Sequence, residues 1–203
     1  MLFLIRYDHM ISKYFVYLSA LIILVGDFSY IVQTARGKAH PNRVSWLLWA
    51  LIPMITFAAE IKQGVGLQAL MTFMVGFGPF IVLVVSLLDK KAYWKISQFD
   101  IFCGILSVLA IIAWQLTGNG NTAILLSIVA DIFAAIPTII KSLRNPESEH
   151  YGVYLSGVLS GIITLLTIKN WSFAEWGFPL YVSIMCLILV ILVTAPKWKK
   201  FKI

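Results

Sequence analysis

The stretch LIILVGDFSY, residues 21–30, places Asp27 in the middle of an apolar run, and ILLSIVADIF, residues 124–133, does the same with Asp131. An ionisable side chain at bilayer depth costs at least about 2.5–3.5 kcal/mol, so such residues usually face a cavity, a partner or a substrate path. Each aspartate precedes a basic residue by nine or ten positions, which at about 1.5 Å per residue is close to half of a hydrocarbon core about 30 Å thick. The two stretches therefore predict helices that carry a carboxylate near the membrane midplane.

The composition of the whole chain supports a membrane environment. Hydrophobic residues make up 60% of the 203 residues and charged residues only 12%, with a mean hydropathy of +0.89. A water-soluble domain of this composition would expose far too much apolar surface. Hydropathy separates seven predicted transmembrane helices joined by short polar connections, at residues 14–33, 44–61, 67–88, 101–116, 122–140, 151–168 and 174–194.

The distribution of basic residues predicts the orientation of the seven helices. One side of the membrane would collect twelve bases and the other side four, and the richer side is expected to be cytoplasmic. The N-terminus would then lie outside and the C-terminus inside. The twelve are Arg36, Lys38, Arg43, Lys90, Lys91, Lys95, Lys141, Arg144, Lys197, Lys199, Lys200 and Lys202, and the four are Arg6, Lys13, Lys62 and Lys169. This asymmetry accounts for the net charge of +7 without a nucleic-acid partner.

The two halves of the chain also carry similar features in the same order. Each half has an aspartate on its first helix, a proline in the following loop (Pro41 and Pro146) and a proline on its third helix (Pro79 and Pro179). Three helices, a linker helix and three more helices make two units of one orientation, related by an axis along the membrane normal. The predicted divisions are an extracytoplasmic segment, a first bundle, a linker, a second bundle and a cytoplasmic tail, at 1–13, 14–88, 89–121, 122–194 and 195–203.

Asp27 and Asp131 are the first candidate site residues. Desolvation of a carboxylate favours its protonated form, so either residue could bind a substrate or couple transport to protons. The alternative is a structural hydrogen bond to a hydroxyl or backbone group of a neighbouring helix, such as Ser29, Thr138 or Ser156.

Further candidates lie around the two aspartates. Tyr30 stands one helical turn from Asp27 and could donate to it or to a substrate, and Thr138 adds a hydroxyl to the second-half set. Trp49 could stack on a substrate or pack in the core, whereas Trp46, three residues from Arg43, is assigned to the interfacial aromatic belt.

Two prolines inside predicted helices are candidate hinges. Pro53 and Pro137 each remove a helical hydrogen bond and could act as pivots.

The chain resembles the SWEET and PQ-loop transporter superfamily, and most closely its bacterial seven-helix members. The resemblance rests on the two triple-helix units and on short stretches: Arg36-Gly37-Lys38, PNRVSWLLW at 41–49, and Asp131 with Pro137-Thr138, Pro146 and Glu149. It implies alternating-access transport in the bacterial cytoplasmic membrane. It also implies that Asp131 corresponds to the fifth-helix aspartate of members that move amino acids with protons.

The substrate would be a small polar solute such as a sugar, an amino acid or a vitamin-like compound, with the bilayer and protons as the other partners. The residue pattern argues against an enzyme, a bound cofactor and a metal site. The sequence lacks a lysine in the last predicted helix that could bind retinal, a serine–histidine pair at membrane depth and an HExxH motif. A ligand or cargo receptor on the same fold remains the alternative, because a fold does not determine its function. The sequence leaves the oligomeric state open.

Overall fold

The chain folds almost entirely into helices. The structure is a computed structural model that describes residues 11–88, 95–115 and 119–200, and most of these residues are helical. Seven α-helices and no strand occur within these ranges, so the predicted all-α class is confirmed. The helices are α1 Phe15–Ala35, α2 Arg43–Lys62, α3 Ala69–Leu88, α4 Gln98–Gln115, α5 Gly120–Arg144, α6 Tyr151–Thr167 and α7 Phe173–Lys200.

Each predicted helix matches one observed helix, with ends that differ by a few residues. Asn42 caps α2 by accepting hydrogen bonds from the backbone of Val44 and Ser45, and Asn119 caps α5 in the same way. Gly37 and Gly64 have left-handed backbones at the first two turns, with φ of 66° and 78°, which glycine adopts without steric cost. Residues 1–10, 89–94, 116–118 and 201–203, which include parts of the predicted N-terminal segment, linker and basic tail, lie outside the described residues.

The outer surface of the helices is apolar. Among the described residues, five helices are long and apolar enough to cross a bilayer: Phe15–Ala35, Arg43–Lys62, Ala69–Leu88, Gly120–Arg144 and Phe173–Ala195. On α1 the exposed side chains include Val25 and Phe28, which are 63% and 68% exposed. A soluble monomer rarely exposes apolar patches on this scale, so the chain is described as an integral membrane protein.

Six of the seven helices pack in a closed cycle. In the order of their contacts this cycle runs α1, α3, α2, α5, α7, α6 and back to α1. Helix α4 lies outside it, against α5 and α2. The contact between α4 and α5 includes a hydrogen bond of 2.7 Å from the Ser107 hydroxyl to the Ala130 carbonyl, next to Asp131.

Two close approaches depend on glycine. A Cβ atom at Gly26 of α1 would collide with the Ser156 side chain of α6, and a Cβ atom at Gly78 of α3 would collide with the carboxylate of Asp27. Helices in membranes use small residues in this way to bring backbones close together. The packing around Asp27 therefore requires both glycines.

Two apolar clusters fill the interior of the cycle. One lies towards the end that carries the α1–α2 and α5–α6 connections and includes Tyr30, Trp46, Trp49 and Tyr154. The other lies towards the opposite end and includes Met71, Ile124 and Phe178. The space between the two clusters holds the cavity described below.

Candidate functional site

A cavity of about 80 Å³ lies inside the helix cycle. A single water needs only about 10–15 Å³ on this measure, so the cavity has room for a few water molecules, and a larger ligand would have to move its walls apart. Its walls come from α1, α2, α3, α5, α6 and α7, and its lining residues are Ile23, Asp27, Trp46, Trp49, Val75, Pro79, Asp131, Val153, Tyr154, Ser156, Gly157, Tyr181, Val182, Met185, Cys186 and Leu189.

Asp27 reaches this cavity from α1. Its side chain lies against the backbone of α3 at Gly78, where the missing Cβ leaves room for the carboxylate. The residue is only 4% exposed, and among the described residues nothing forms a hydrogen bond with its Oδ2 atom.

Asp131 reaches the same cavity from α5. The Tyr181 hydroxyl of α7 donates a hydrogen bond of 2.6 Å to its Oδ2 atom, whereas its Oδ1 atom has no hydrogen-bond partner within the described part of the chain. The structure therefore brings the two predicted aspartates together in one cavity, and each keeps a buried oxygen unpartnered. Asp131 therefore does accept a hydrogen bond from a hydroxyl group of a neighbouring helix, but the donor is Tyr181, whereas the Ser156 hydroxyl donates to the Val153 carbonyl.

Aromatic rings form much of the cavity wall. The Trp46 and Trp49 rings meet edge to face at 5.5 Å between centroids, and Trp49 meets Tyr154 at 6.5 Å. Trp46 is 1% exposed, so its assignment to the interfacial belt is wrong: α2 turns this ring into the helix cycle rather than towards lipid. Trp49, a predicted site residue, lines the cavity with it.

Two other predicted site residues lie outside the cavity lining. The Tyr30 hydroxyl donates to Glu149 Oε2 at 2.8 Å rather than to Asp27, because the Tyr30 ring packs against Trp46 on the side of the helical connections. Thr138 is fully buried, and its hydroxyl lacks a hydrogen-bond partner among the described residues. The predicted hinges, Pro53 and Pro137, are both buried inside continuous helices, α2 and α5.

A second polar cluster closes one end of the helix cycle. Its centre is an ion pair of 2.5 Å between Lys141 Nζ of α5 and Glu149 Oε1, with both side chains almost fully buried. Glu149 Oε2 accepts hydrogen bonds of 2.8 Å from both Tyr30 and Tyr154, and Lys141 also donates to the His40 carbonyl. We call these five residues the Glu149 cluster.

The Glu149 cluster joins the two halves of the chain. Tyr30 and His40 belong to the first half, and the other three members to the second. Tyr154 also lines the cavity, so the cluster and the cavity are in direct contact. In the sequence Lys141 is only one of twelve bases on the basic side, and this charge pattern does not predict a buried ion pair. The available signal was the acidic Glu149 following it across the Pro146 turn.

The opposite end of the cycle contains buried hydroxyl groups and the buried carboxyl group of Glu60. Ser19 of α1 contacts Ser160 and Thr164 of α6 at 2.5 and 2.9 Å. On α2, Glu60 accepts a hydrogen bond of 3.0 Å from Thr72 of α3. Glu60 is 1% exposed, but it does not line the cavity.

The chain has no match among the family models, curated proteins and solved structures with which it was compared. Across the described residues, no group of three or more His, Cys, Asp or Glu side chains is arranged to hold a metal ion.

Proposed function

We propose that the chain is a membrane transporter for a small polar solute, which it carries by alternating access with coupling to protons through Asp27 and Asp131. One observation carries the proposal. Two carboxylates from different halves of the chain line a single cavity, and each has a buried oxygen without a partner. Buried polar groups are normally satisfied, so two unsatisfied carboxylates in one cavity indicate a site for a ligand or a proton.

The helix contacts support a 3+1+3 architecture for this transporter. In the first unit α3 contacts both α1 and α2, and in the second α7 contacts both α5 and α6. Between the units, α1 meets α6 and α2 meets α5, which are equivalent contacts if the units are related by a twofold axis. Helix α4 connects the units from outside the cycle. Such parallel repeats with a site at their interface are known from transporters, in keeping with the resemblance to SWEET and PQ-loop proteins.

The two shorter helices also fit this architecture. Helix α6 has 17 residues, which is at the lower limit of about 17–25 residues for crossing a bilayer. Helix α4 has 18. We therefore propose seven crossings, with the N-terminus outside and the basic connections of the Glu149 cluster on the cytoplasmic side.

In this scheme the Glu149 cluster is the cytoplasmic gate. A solute in the cavity could leave on that side only if Tyr154 and its partners moved away from Glu149. The cluster links both halves of the chain, so rocking of one half against the other would break it. The buried ion pair and its two further hydrogen bonds would be intact in one state of the transporter and broken in the other, as in interfaces that switch between two arrangements.

The test combines ligand binding with flux. A thermal-shift screen of sugars, amines, amino acids and vitamins at two pH values would find a ligand, because a ligand that binds the folded state raises its melting temperature. Counterflow of that ligand in proteoliposomes would then be measured for the wild type, for Asp131→Asn and for Glu60→Gln. Glu60→Gln is the matched control, since it neutralises another buried carboxyl group outside the cavity.

We expect counterflow in the wild type and in Glu60→Gln, and loss of pH-dependent uptake in Asp131→Asn, because asparagine keeps the size of aspartate but cannot titrate. Tight binding without counterflow at any gradient would refute transport and favour the receptor. Unchanged pH dependence in Asp131→Asn would refute the coupling.

A further inference from the structure

The cavity lining has a strong charge bias. Its charged members are Asp27 and Asp131, and among the described lining residues there is no lysine, arginine, histidine, asparagine or glutamine. The other titratable groups are Tyr154, Tyr181 and Cys186, none of which carries a positive charge. None of the described side chains of helix α4, which packs against α5, belongs to the lining. A ligand in this cavity therefore meets two acids and no base.

This bias excludes several classes of ligand. An anion would be repelled by both carboxylates and would find no compensating cation. A zwitterionic amino acid could place its amino group on an aspartate, but its own carboxylate would find no cation among the described lining residues, which is costly in an apolar site. A sugar presents many hydroxyl groups, whereas the lining is dominated by side chains such as Val75, Val182 and Leu189 that can bond none of them.

The aromatic wall favours the remaining class. Trp46, Trp49, Tyr154 and Tyr181 all line the cavity, and the negative faces of such rings attract organic cations by about 0.5–2 kcal/mol each. An apolar body with one ammonium group would fill the aromatic and aliphatic part of the cavity. Its ammonium group would then donate hydrogen bonds to the unpartnered oxygens of the two aspartates.

We propose that the ligand of this cavity is a small organic amine without a carboxylate group, bound as its cation between Asp27 and Asp131 against the aromatic wall. The movement of this ligand across the membrane rests on the proposed function, whereas its binding in the cavity does not. The cation and protons compete for the same carboxylates. Binding of the amine therefore displaces a proton, and the affinity rises with pH as the carboxylates lose theirs.

The test uses four probes with the same phenyl body. Phenethylamine carries only an ammonium group, phenylalanine adds a carboxylate, hydrocinnamate carries only a carboxylate, and phenethyl alcohol is neutral. Affinity would be measured by calorimetry on the purified full-length protein at about pH 6 and about pH 8, where the amine stays protonated as a lysine does. The same probes would be followed in proteoliposome counterflow.

We expect phenethylamine to bind and the other three probes to bind at least about tenfold more weakly. The affinity for the amine should be higher at the higher pH, by up to about tenfold per pH unit for each displaced proton. Asp27→Asn and Asp131→Asn should each weaken binding by about ten- to a hundredfold, the range expected for a lost charged hydrogen bond. Glu60→Gln should bind like the wild type.

The outcomes separate this inference from the transport proposal. Tighter binding of phenylalanine, hydrocinnamate or phenethyl alcohol than of phenethylamine would overturn the ligand class, and so would failure of all four probes to bind. Phenethylamine binding that falls as the pH rises would overturn the competition with protons. If phenethylamine binds as expected but shows no counterflow, the ligand class stands and transport is refuted.

Discussion

In the proposed transport cycle the Glu149 cluster must open at the end of the helix cycle proposed to be cytoplasmic, and removing Lys141 should promote this opening. Lys141→Met leaves Glu149 buried without its cation, and breaking a buried pair from one side costs about 3–5 kcal/mol. Each 1.4 kcal/mol changes an equilibrium about tenfold, so the open population should rise about a hundredfold to a few thousandfold. We expect the lower end, because the Tyr30 and Tyr154 hydroxyls still donate to Glu149.

A native thiol reports this opening. Cys186 lines the cavity, so its rate of reaction with a charged, water-soluble thiol reagent measures how often the cavity opens. The assay would use a Cys103→Ala background, because Cys103 is the other cysteine of the chain. In a parallel background with Cys186→Ser, the buried Cys103 of α4 reports global unfolding. Faster labelling of Cys186 with unchanged labelling of Cys103 would identify local opening.

A double-mutant cycle supplies the control. Glu149→Gln alone leaves Lys141 without its carboxylate and should also speed the labelling of Cys186. The double variant Lys141→Met/Glu149→Gln leaves neither charge uncompensated. Its increase in the free energy that favours opening, measured from the labelling rate of Cys186, should be well below the sum of the increases in the two single variants. The reasoning is refuted if Lys141→Met stays folded and labels Cys186 at the wild-type rate, or if the two single effects simply add.

Three further predictions concern packing, hinge motion and topology. Gly78→Ala should lower the free energy of unfolding by about 1–3 kcal/mol, because the new methyl group collides with the Asp27 carboxylate. Gly66→Ala is the control, since its methyl group meets only an ordinary contact. Thermal unfolding in detergent would compare the two variants, and equal melting temperatures would contradict the packing at Gly78. Pro137→Ala should preserve ligand affinity but slow counterflow, because it restores a helical hydrogen bond near Asp131; an unchanged rate would argue against a hinge there. Tags at the two chain ends should be accessible from opposite sides of the membrane, and detection of both on one side would rule out seven crossings.

Local patterns in the sequence were sufficient to predict the helices. Hydropathy is a property of neighbouring residues, so the apolar runs predicted all seven helices to within a few residues. The same reasoning singled out Asp27 and Asp131, because a carboxylate inside an apolar run is costly wherever the helix packs.

The partners of these residues could not be predicted in this way. Tyr181 is 50 positions from Asp131, and Tyr30 is 119 positions from Glu149. No periodicity along the chain relates such positions, because their contact depends on which helices are neighbours and how each is rotated. The misassignment of Trp46 has the same cause, since a tryptophan near a basic loop can face either lipid or the interior.

The sequence by itself therefore determined that this chain is an all-helical membrane protein with a costly carboxylate in each half. Only the tertiary structure decided that both carboxylates share one cavity, that this cavity lacks a basic side chain among its described lining residues, and that Lys141 and Glu149 close one end of it. The physical reason is that the cost of burying a charge is set by the segment that carries it, whereas its compensation comes from side chains that other helices bring into contact.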